Sequence, residues 1–320
     1  MTNVSHPSPR IVFMGTPDFA VASLDALLRA GYNIVAVITA PDKPAGRGLR
    51  LTESAVKIYA REKELHLLQP EKLKNADFLK ALKEMKADLQ VVVAFRMLPE
   101  AVWNMPPGGT INLHGSLLPE YRGAAPINWA LINGEQETGV TTFKLRHEID
   151  TGDILLQESI SISPDETAGE LHDRMKYIGA ALLVKTIGGL VDGTVQEIPQ
   201  QDVIRHLPDN ALTAVIKHAP KLVTETCKIN WDRPAREIYN LVRGMSPFPA
   251  AFTHLDNKLL KIYRSEMQRL TPEVAPGVWQ TDNKTFLRFA CRDGWLTVKE
   301  LQLEGKKKMW IDEFLRGYRF

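Results

Sequence analysis

Asp88–Ala94 reads DLQVVVA, a valine-rich run whose apolar side chains fall on both faces. Such a run suits a strand covered on both sides, as in a parallel sheet. Two earlier runs share its character: Arg10–Met14 (RIVFM), which ends at Gly15, and Asn33–Thr39 (NIVAVIT). One follows, Gly109–His114 (GTINLH). The intervening segments carry helical periodicity. Asp18 opens one with Phe19, Leu24, Leu27 and Leu28 on its apolar face, and Thr52–Glu64 and Asn75–Lys86 follow. Strands alternating with helices predict an α/β domain, Rossmann-like with a mostly parallel sheet. Ligands in such sheets bind beyond the carboxyl ends of strands, so the residues after Met14, Thr39, Ala94 and Leu113 are the ones to inspect.

Beyond these strands, Thr138–Glu148 and Asp153–Ile162 read as antiparallel, joined through Thr151-Gly152, and Thr167–Leu190 as a helix. The pattern then changes. Residues 1–194 are expected to form the first domain, and 195–209, polar with Pro199 and three glutamines up to His206, a linker. Residues 210–320 hold one amphipathic helix, Ala235–Arg243. Five short strands follow it: Phe252–Leu255, Leu259–Ser265, Gly277–Thr281, Thr285–Phe289 and Gly294–Leu303. Short strands with frequent turns predict a small OB-like β-barrel.

The 320-residue chain has 40 Lys+Arg against 38 Asp+Glu, but the balance is uneven. From Asn210 onward 19 basic residues face 12 acidic ones, which suggests a polyanionic partner for the last third. The two cysteines, Cys227 and Cys291, are too few for a disulfide framework or a zinc site. No apolar run reaches the ~18–20 residues that span a bilayer, and Met1–Arg10 has no apolar signal core. A cytoplasmic protein without membrane contact is expected. Gly15-Thr16-Pro17-Asp18-Phe19-Ala20 lacks the dinucleotide fingerprint, and there is no Walker A loop. Ser116 lacks the flanking glycines of a nucleophile elbow. The eight histidines show no paired ligand spacing, so no metal is expected.

The remaining chemistry lies in Asn112-Leu113-His114-Gly115-Ser116-Leu117-Leu118-Pro119. Residues two apart in a strand share a face, so Asn112 and His114 project together at a ligand-binding edge. An amide beside an imidazole can donate to one oxyanion. Taken alone, Asn112 would cap the strand and His114 would satisfy a loop carbonyl. Asp150-Thr151-Gly152-Asp153, taken alone, is an ordinary turn.

Together these segments resemble the folate-dependent formyltransferases, in particular those acting on charged tRNA. The resemblance extends to Gly15–Phe19, Pro41-Asp42-Lys43-Pro44-Ala45-Gly46-Arg47-Gly48 and Tyr121-Arg122-Gly123-Ala124-Ala125-Pro126. In the last third it covers Ile229-Asn230-Trp231, Arg243-Gly244 with Pro247 and Pro249, and Gly305-Lys306-Lys307-Lys308-Met309. It implies transfer of the formyl group of 10-formyltetrahydrofolate to the free amino group of methionyl initiator tRNA, for translation initiation, by a monomer needing no metal. Asn112, His114 and Asp150 would be catalytic. Folate would meet Phe95, Arg96, Met97, Leu98, Ser116, Leu117, Leu118, Pro119 and Asp153. The tRNA would meet Lys43, Arg47 and Arg50 in the 41–50 stretch and Lys306, Lys307 and Lys308 in the last third. The family usually has Ala-Tyr-Gly and one more residue where this chain reads Ala94-Phe95-Arg96-Met97-Leu98-Pro99, so Arg96 would replace a backbone contact with a side-chain one. An amino-sugar nucleotide is the alternative acceptor. A silent RNA clamp is a third reading, disfavoured by the intact Asn112, His114 and Asp150.

Overall fold

The computed structural model describes residues 8–45, 50–205 and 216–319. Strands and helices alternate at first: β1 (Arg10–Gly15), α1 (Asp18–Arg29), β2 (Asn33–Ile38), β3 (Lys43–Ala45), β4 (Arg50–Thr52), α2 (Ala55–Glu62), β5 (Leu67–Leu68), α3 (Ala76–Glu84), β6 (Leu89–Val93), α4 (Glu100–Trp103) and β7 (Thr110–His114). Then come β8 (Arg122–Gly123), α5 (Pro126–Ile132), β9 (Glu137–Lys144), β10 (Ile154–Ser161), α6 (Ala168–Val191) and α7 (Gln200–Arg205).

Seven strands form one sheet in the order β10-β9-β7-β6-β1-β2-β5. β1 pairs in parallel with β2 and β6, β2 with β5, and β6 with β7. β9 runs antiparallel to β7. β6 lies near the middle with every residue buried, as its two-faced apolar character demands. One core cluster joins Val12, Met14, Ile38 and Val92 to Phe78 and Leu82 of α3. Each fully buried side chain of this size contributes about 1.5–3 kcal/mol relative to exposure. Helix starts follow local chemistry: Ser54 caps α2 by accepting from Lys57 N, and Asn75 caps α3 by accepting from Asp77 N and Phe78 N. Of the 41–50 stretch, Lys43–Ala45 form β3, which pairs antiparallel with β4 from Lys43↔Thr52 to Ala45↔Arg50.

The remaining elements are β11 (His218–Ala219), α8 (Thr224–Cys227), α9 (Ala235–Met245), β12 (Ala251–Leu255), β13 (Lys258–Gln268), β14 (Trp279–Thr281), β15 (Leu287–Ala290), β16 (Trp295–Leu303), β17 (Met309–Trp310) and α10 (Ile311–Gly317). Strands β12-β13-β16-β15-β14 form an antiparallel sheet, with β17 added on β16. Register shifts at Ile262/Arg264 and Arg264/Ser265 mark bulges, the usual device for curling a sheet. The result is a curled, OB-like half-barrel. Its inner face packs Ile262, Phe289, Leu296, Val298 and Leu301 against Ile238 and Val242 of α9.

The chain divides into two units that interleave in sequence. One holds residues up to Arg122, Gly139–Ile160 and Asp173–Lys217; the other holds Gly123–Thr138, Ser161–His172 and His218 onward. The Gly123–Thr138 segment joins the second unit because α5 docks on α9. There Asn128 Nδ2 donates to Gly244 O at 2.7 Å, and a Cβ on Gly244 would lie 2.7 Å from Ile132 Cγ1. The stretch expected as a linker begins with structure. Ile154 and Ile198 form an antiparallel bridge, and Val203 of α7 packs on Leu118, Phe143 and Ile154. The expected residues 206–209 lie outside the described part.

Candidate active site

β7 is where the parallel sheet gives way to antiparallel strands. In register, Asn112 faces Val92 on β6 and Phe143 on β9, and His114 faces Thr141. Asn112 is half-buried and His114 is 7% exposed. His114 Nε2 lies 2.9 Å from Tyr121 O. A carbonyl oxygen only accepts, so Nε2 carries the proton of this bond. That contact is the one expected of an ordinary loop histidine. The other ring nitrogen departs from the ordinary, since Nδ1 faces Asp150 Oδ2 at 3.8 Å. This is within ion-pair range and beyond a direct hydrogen bond. Phe143 closes one side of the ring edge-on, with centroids 6.4 Å apart.

The loop after β7 is held by polar contacts. Ser116 is fully buried, with its hydroxyl donating to Glu120 O at 2.7 Å. Thr141 Oγ1 donates to Ser116 O at 2.6 Å and accepts from Leu118 N at 3.1 Å. Gln157 Nε2 donates to Leu118 O at 2.8 Å. Leu118 and Pro119 are buried and Leu117 is half-buried. This loop therefore shapes the ground beside His114.

Asp150 sits at φ 53°, the left-handed region that non-glycine residues seldom adopt. Two residues on, Gly152 is buried so closely under Lys144 O that any Cβ would collide with that carbonyl. Gln200 Nε2 donates to Asp150 O at 2.9 Å and to Gly152 O at 2.8 Å. Its Oε1 accepts from Arg122 Nε at 3.0 Å and Nη2 at 2.5 Å. Burial pulls the Arg122 guanidinium below its ordinary value, opposed by the negative charges of Asp150 and Glu148. Neither Arg122 nor Gln200 was singled out as a site residue from the sequence. Pro199 before a polar helix start was the available signal for the second.

The expected folate residues divide. Ala94, at φ 47°, ends β6, and Phe95 and Leu98 then pack half-buried against the core, together with Leu145. Met97 is 74% exposed. Arg96 donates to Glu71 O at 2.8 Å and also to Pro70 O, bracing that turn. Asp153 is buried and ion-paired with Arg146.

Of the expected tRNA residues, Lys43 is exposed at the start of β3 and Arg50 begins β4; Arg47 lies outside the described residues. The root of this hairpin is fixed by Asp42, which accepts from Lys57 Nζ at 2.5 Å and Gln69 Nε2 at 3.0 Å. Those hydrogen bonds hold the Asp42 carboxyl below its usual value. In the second unit Lys306, Lys307 and Lys308 are exposed between β16 and β17. Lys307 pairs with Glu313 at 2.9 Å and Lys308 with Glu300 at 3.0 Å. The same unit has a cavity of ≈ 590 Å³ whose lining includes Trp129, Lys228, Arg233 and Arg236, which the sequence reading did not identify. Among the described residues no group of three or more His, Cys, Asp or Glu is placed to hold a metal. No helix there is long and apolar enough to cross a membrane.

Comparison with known proteins adds three kinds of likeness. Residues 9–187 match the family model described as formyl transferase, and 221–319 match the formyl transferase C-terminal domain. A Bacteroides fragilis protein named methionyl-tRNA formyltransferase is 51% identical over 314 residues, 97% of this chain and 95% of that one. The Parabacteroides distasonis protein of the same name is 52% identical over 316 residues, with 97% and 96% covered. The solved N-formyltransferase of Helicobacter canadensis, in complex with folinic acid and dTDP-3-aminofucose, shares the fold. It aligns with a TM-score of 0.66 at 19% identity, over 94% of this chain and all of that one.

Proposed function

The chain belongs to the formyl transferase family, in its methionyl-tRNA formyltransferase branch, and from that premise we propose that it transfers the formyl group of 10-formyltetrahydrofolate to the amino group of methionyl initiator tRNA. The observation that carries the reading is the end of β7. There Asn112 shares a strand face with His114, whose ring is fixed behind by Tyr121 O and faces the Asp150 carboxylate in front.

The residues present suit the reaction. Attack of an amine on a formyl carbon builds negative charge on the formyl oxygen and positive charge on the amine. The Asn112 amide and the His114 ring, when it carries both protons, stabilise the first as donors held in place before the reaction begins. With Nε2 committed to Tyr121, Nδ1 is the nitrogen left to face Asp150 and the substrates. Asp150 faces the ring and accepts the proton that the amine loses; collapse of the tetrahedral adduct breaks the bond from the formyl carbon to the folate nitrogen, which leaves as the amine on taking up that proton. The tethered Ser116–Pro119 loop acts by shape, because its hydroxyl is occupied.

Phe95, Leu98 and Leu145 offer half-buried apolar faces at the end of β6, suited to a pterin ring, with the Ser116–Pro119 loop and Asp153 beside it as the further folate-binding residues. Formyl-folate supplies the activated one-carbon group when bound. The 41–50 stretch engages the acceptor end, with Lys43, Arg47 and Arg50 supplying positive charge for its phosphates. In the second unit, Lys306–Lys308 and the cavity with Lys228, Arg233 and Arg236 present the cations for the acceptor arm. The protein acts as a monomer.

The test is formylation with 10-formyltetrahydrofolate of charged methionyl initiator tRNA, set against an amino-sugar nucleotide as acceptor. Formylmethionyl-tRNA as the preferred product supports the reading. Preference for the amino-sugar nucleotide, or no transfer to either, overturns it.

A further inference from the structure

We propose that Gln200 is a positioning residue for the reaction, holding Asp150 in the conformation that aims its carboxylate at His114. The inference rests on the proposed roles of Asp150 and His114. It assigns work to a segment, 198–205, that composition alone marks as a connection.

Gln200 opens α7 and is 2% exposed. A side-chain amide has two donor hydrogens and an acceptor oxygen with two lone pairs. All are used. Both hydrogens go to the carbonyls of Asp150 and Gly152, and the oxygen takes two bonds from Arg122. The orientation of the amide is not arbitrary, because a guanidinium only donates and a carbonyl only accepts. A buried glutamine satisfied at every position specifies its surroundings, and each partner would otherwise be left unpaired.

What it specifies is the backbone on either side of Thr151. Asp150 adopts φ 53°, an arrangement that persists in a non-glycine residue only when its surroundings determine it. Two features do so here. Gly152 permits the close approach of Lys144 O, and Gln200 grips the Asp150 carbonyl directly. Rotation about the Asp150 backbone would swing its carboxylate away from His114 Nδ1, now 3.8 Å distant. Gln200 is itself immobilised, by the Ile154–Ile198 bridge before it and the packing of Val203 after it. The ends of the contact are thus a docked helix and a strained turn, with one side chain between them.

The inference is tested in the full chain with Gln200→Ala, Gln200→Glu and Asp150→Asn, and with the two double variants. Gln200→Glu keeps the volume and the bonds to Arg122 but brings a carboxylate oxygen against two carbonyls. Both single Gln200 variants should lower kcat roughly 10-fold or more, with KM for formyl-folate and for tRNA within about 2-fold of the original, since misplacement of a reacting group acts on the transition state. In the Asp150→Asn background the same changes should cost less than about 2-fold, because groups acting through one another are not additive. Equal fold-losses in both backgrounds, or unchanged kcat in Gln200→Ala, would overturn the proposal. So would a rise in both KM values matching the loss in kcat/KM, which reports general disruption. Gln200→Glu with wild-type turnover would equally overturn it. Full activity of Asp150→Asn would instead refute the catalytic reading on which the inference stands.

Discussion

At the end of β7 the polar groups are fastened from behind and open in front. In the turn before β17 two of the three lysine charges are already paired. His114 gives one nitrogen to Tyr121 O and faces Asp150 with the other. Lys307 and Lys308, by contrast, spend their charge on Glu313 and Glu300, and Lys308 also lies over the Tyr263 ring at 4.8 Å. The two regions carried comparable sequence signals, a short polar cluster next to a strand. On the proposed roles, a functional group is marked less by its type than by whether its neighbours leave a valence unspent. A group prepared for a transition state is oriented by the protein on its far side. A group that only decorates the surface finds its counter-charge nearby, at a net gain of about 0–1 kcal/mol.

The strongest way to break the comparison is His114→Ala. Turnover should fall roughly 10²–10³-fold, the usual cost of a lost oxyanion donor. Folate binding should persist, because the lost interaction is made mainly in the transition state. Asn112→Ala should behave alike. Single-turnover formylation by His114→Ala at the unmodified rate would place His114 with the surface lysines as a mere structural contact.

Next in size is Gly152→Ala, which asks how rigid the prepared side is. A Cβ there collides with the Lys144 carbonyl, a backbone atom held in β9. Overpacking of this kind costs about 1–3 kcal/mol, read as a lowered denaturant midpoint. Turnover should fall as well, since the turn carries Asp150. A variant of normal stability and full activity would show a turn far softer than its contacts suggest.

How much of this was legible in advance depends on the physics of each segment. β6 could be read because five consecutive buried positions leave a continuous apolar record. α2 and α3 could be read because Ser54 and Asn75 are cap residues at the right offset from apolar periodicity. The β3–β4 pairing could not, since Pro44 interrupts a strand of only three residues, and the Asp42–Lys57–Gln69 anchorage joins residues far apart in sequence. Nor could α7, whose key residue is polar and buried. Periodicity registers burial of apolar groups, whereas Gln200 is buried because four hydrogen bonds satisfy it. Asn112, His114 and Asp150 were legible as a motif, but the Tyr121 carbonyl that orients the ring is backbone and leaves no trace in residue type. Arg243 carries a charge that its residue type would put at the surface, yet it is 7% exposed, with its Nε donating to Asn240 Oδ1 at 2.9 Å.

A smaller effect sharpens the contrast within the second unit, where some polar groups are committed to the fold. Tyr239 is buried and donates to Asp165 Oδ1 at 2.7 Å; burial first, and then that carboxylate, push its phenol up to about 12. Tyr239→Phe should lower stability by about 1–3 kcal/mol near neutral pH, as for a hydrogen bond to a charged acceptor. The phenol ionises near 10 in the unfolded chain but only near 12 when folded, so its contribution is complete below pH 10 and disappears as pH rises toward 12. Denaturation midpoints of the two proteins should therefore converge over that interval. A constant difference from pH 8 to pH 12 would remove the phenol from the account.

The smallest expected effect concerns the lysine turn itself. If Lys306, Lys307 and Lys308 each neutralised a phosphate, changing all three would flatten the log–log salt dependence of tRNA binding by about 2–3 units, at ~0.7–0.9 per phosphate. The ion pairs argue for less. Lys307 and Lys308 already have carboxylate partners at 2.9 and 3.0 Å, so a phosphate must displace Glu313 or Glu300 and leave that charge facing the RNA. Lys306 is exposed and has no carboxylate partner among the described residues. Lys306→Ala should therefore account for most of the change, a flattening of at most about one unit, while Lys307→Ala and Lys308→Ala each change the slope by less than half of that. kcat at saturating tRNA should stay as it was, because the proposed reacting groups, Asn112, His114 and Asp150, belong to the other unit. Affinity measured across a salt series for the three single variants decides the matter. Equal slopes for all of them and the parent would leave the cavity cations Lys228, Arg233 and Arg236 as the main phosphate contacts. Equal losses from each lysine would mean that the pairs to Glu313 and Glu300 open freely when RNA arrives, and that counter-charges seen in the unbound protein do not tell the two kinds of region apart.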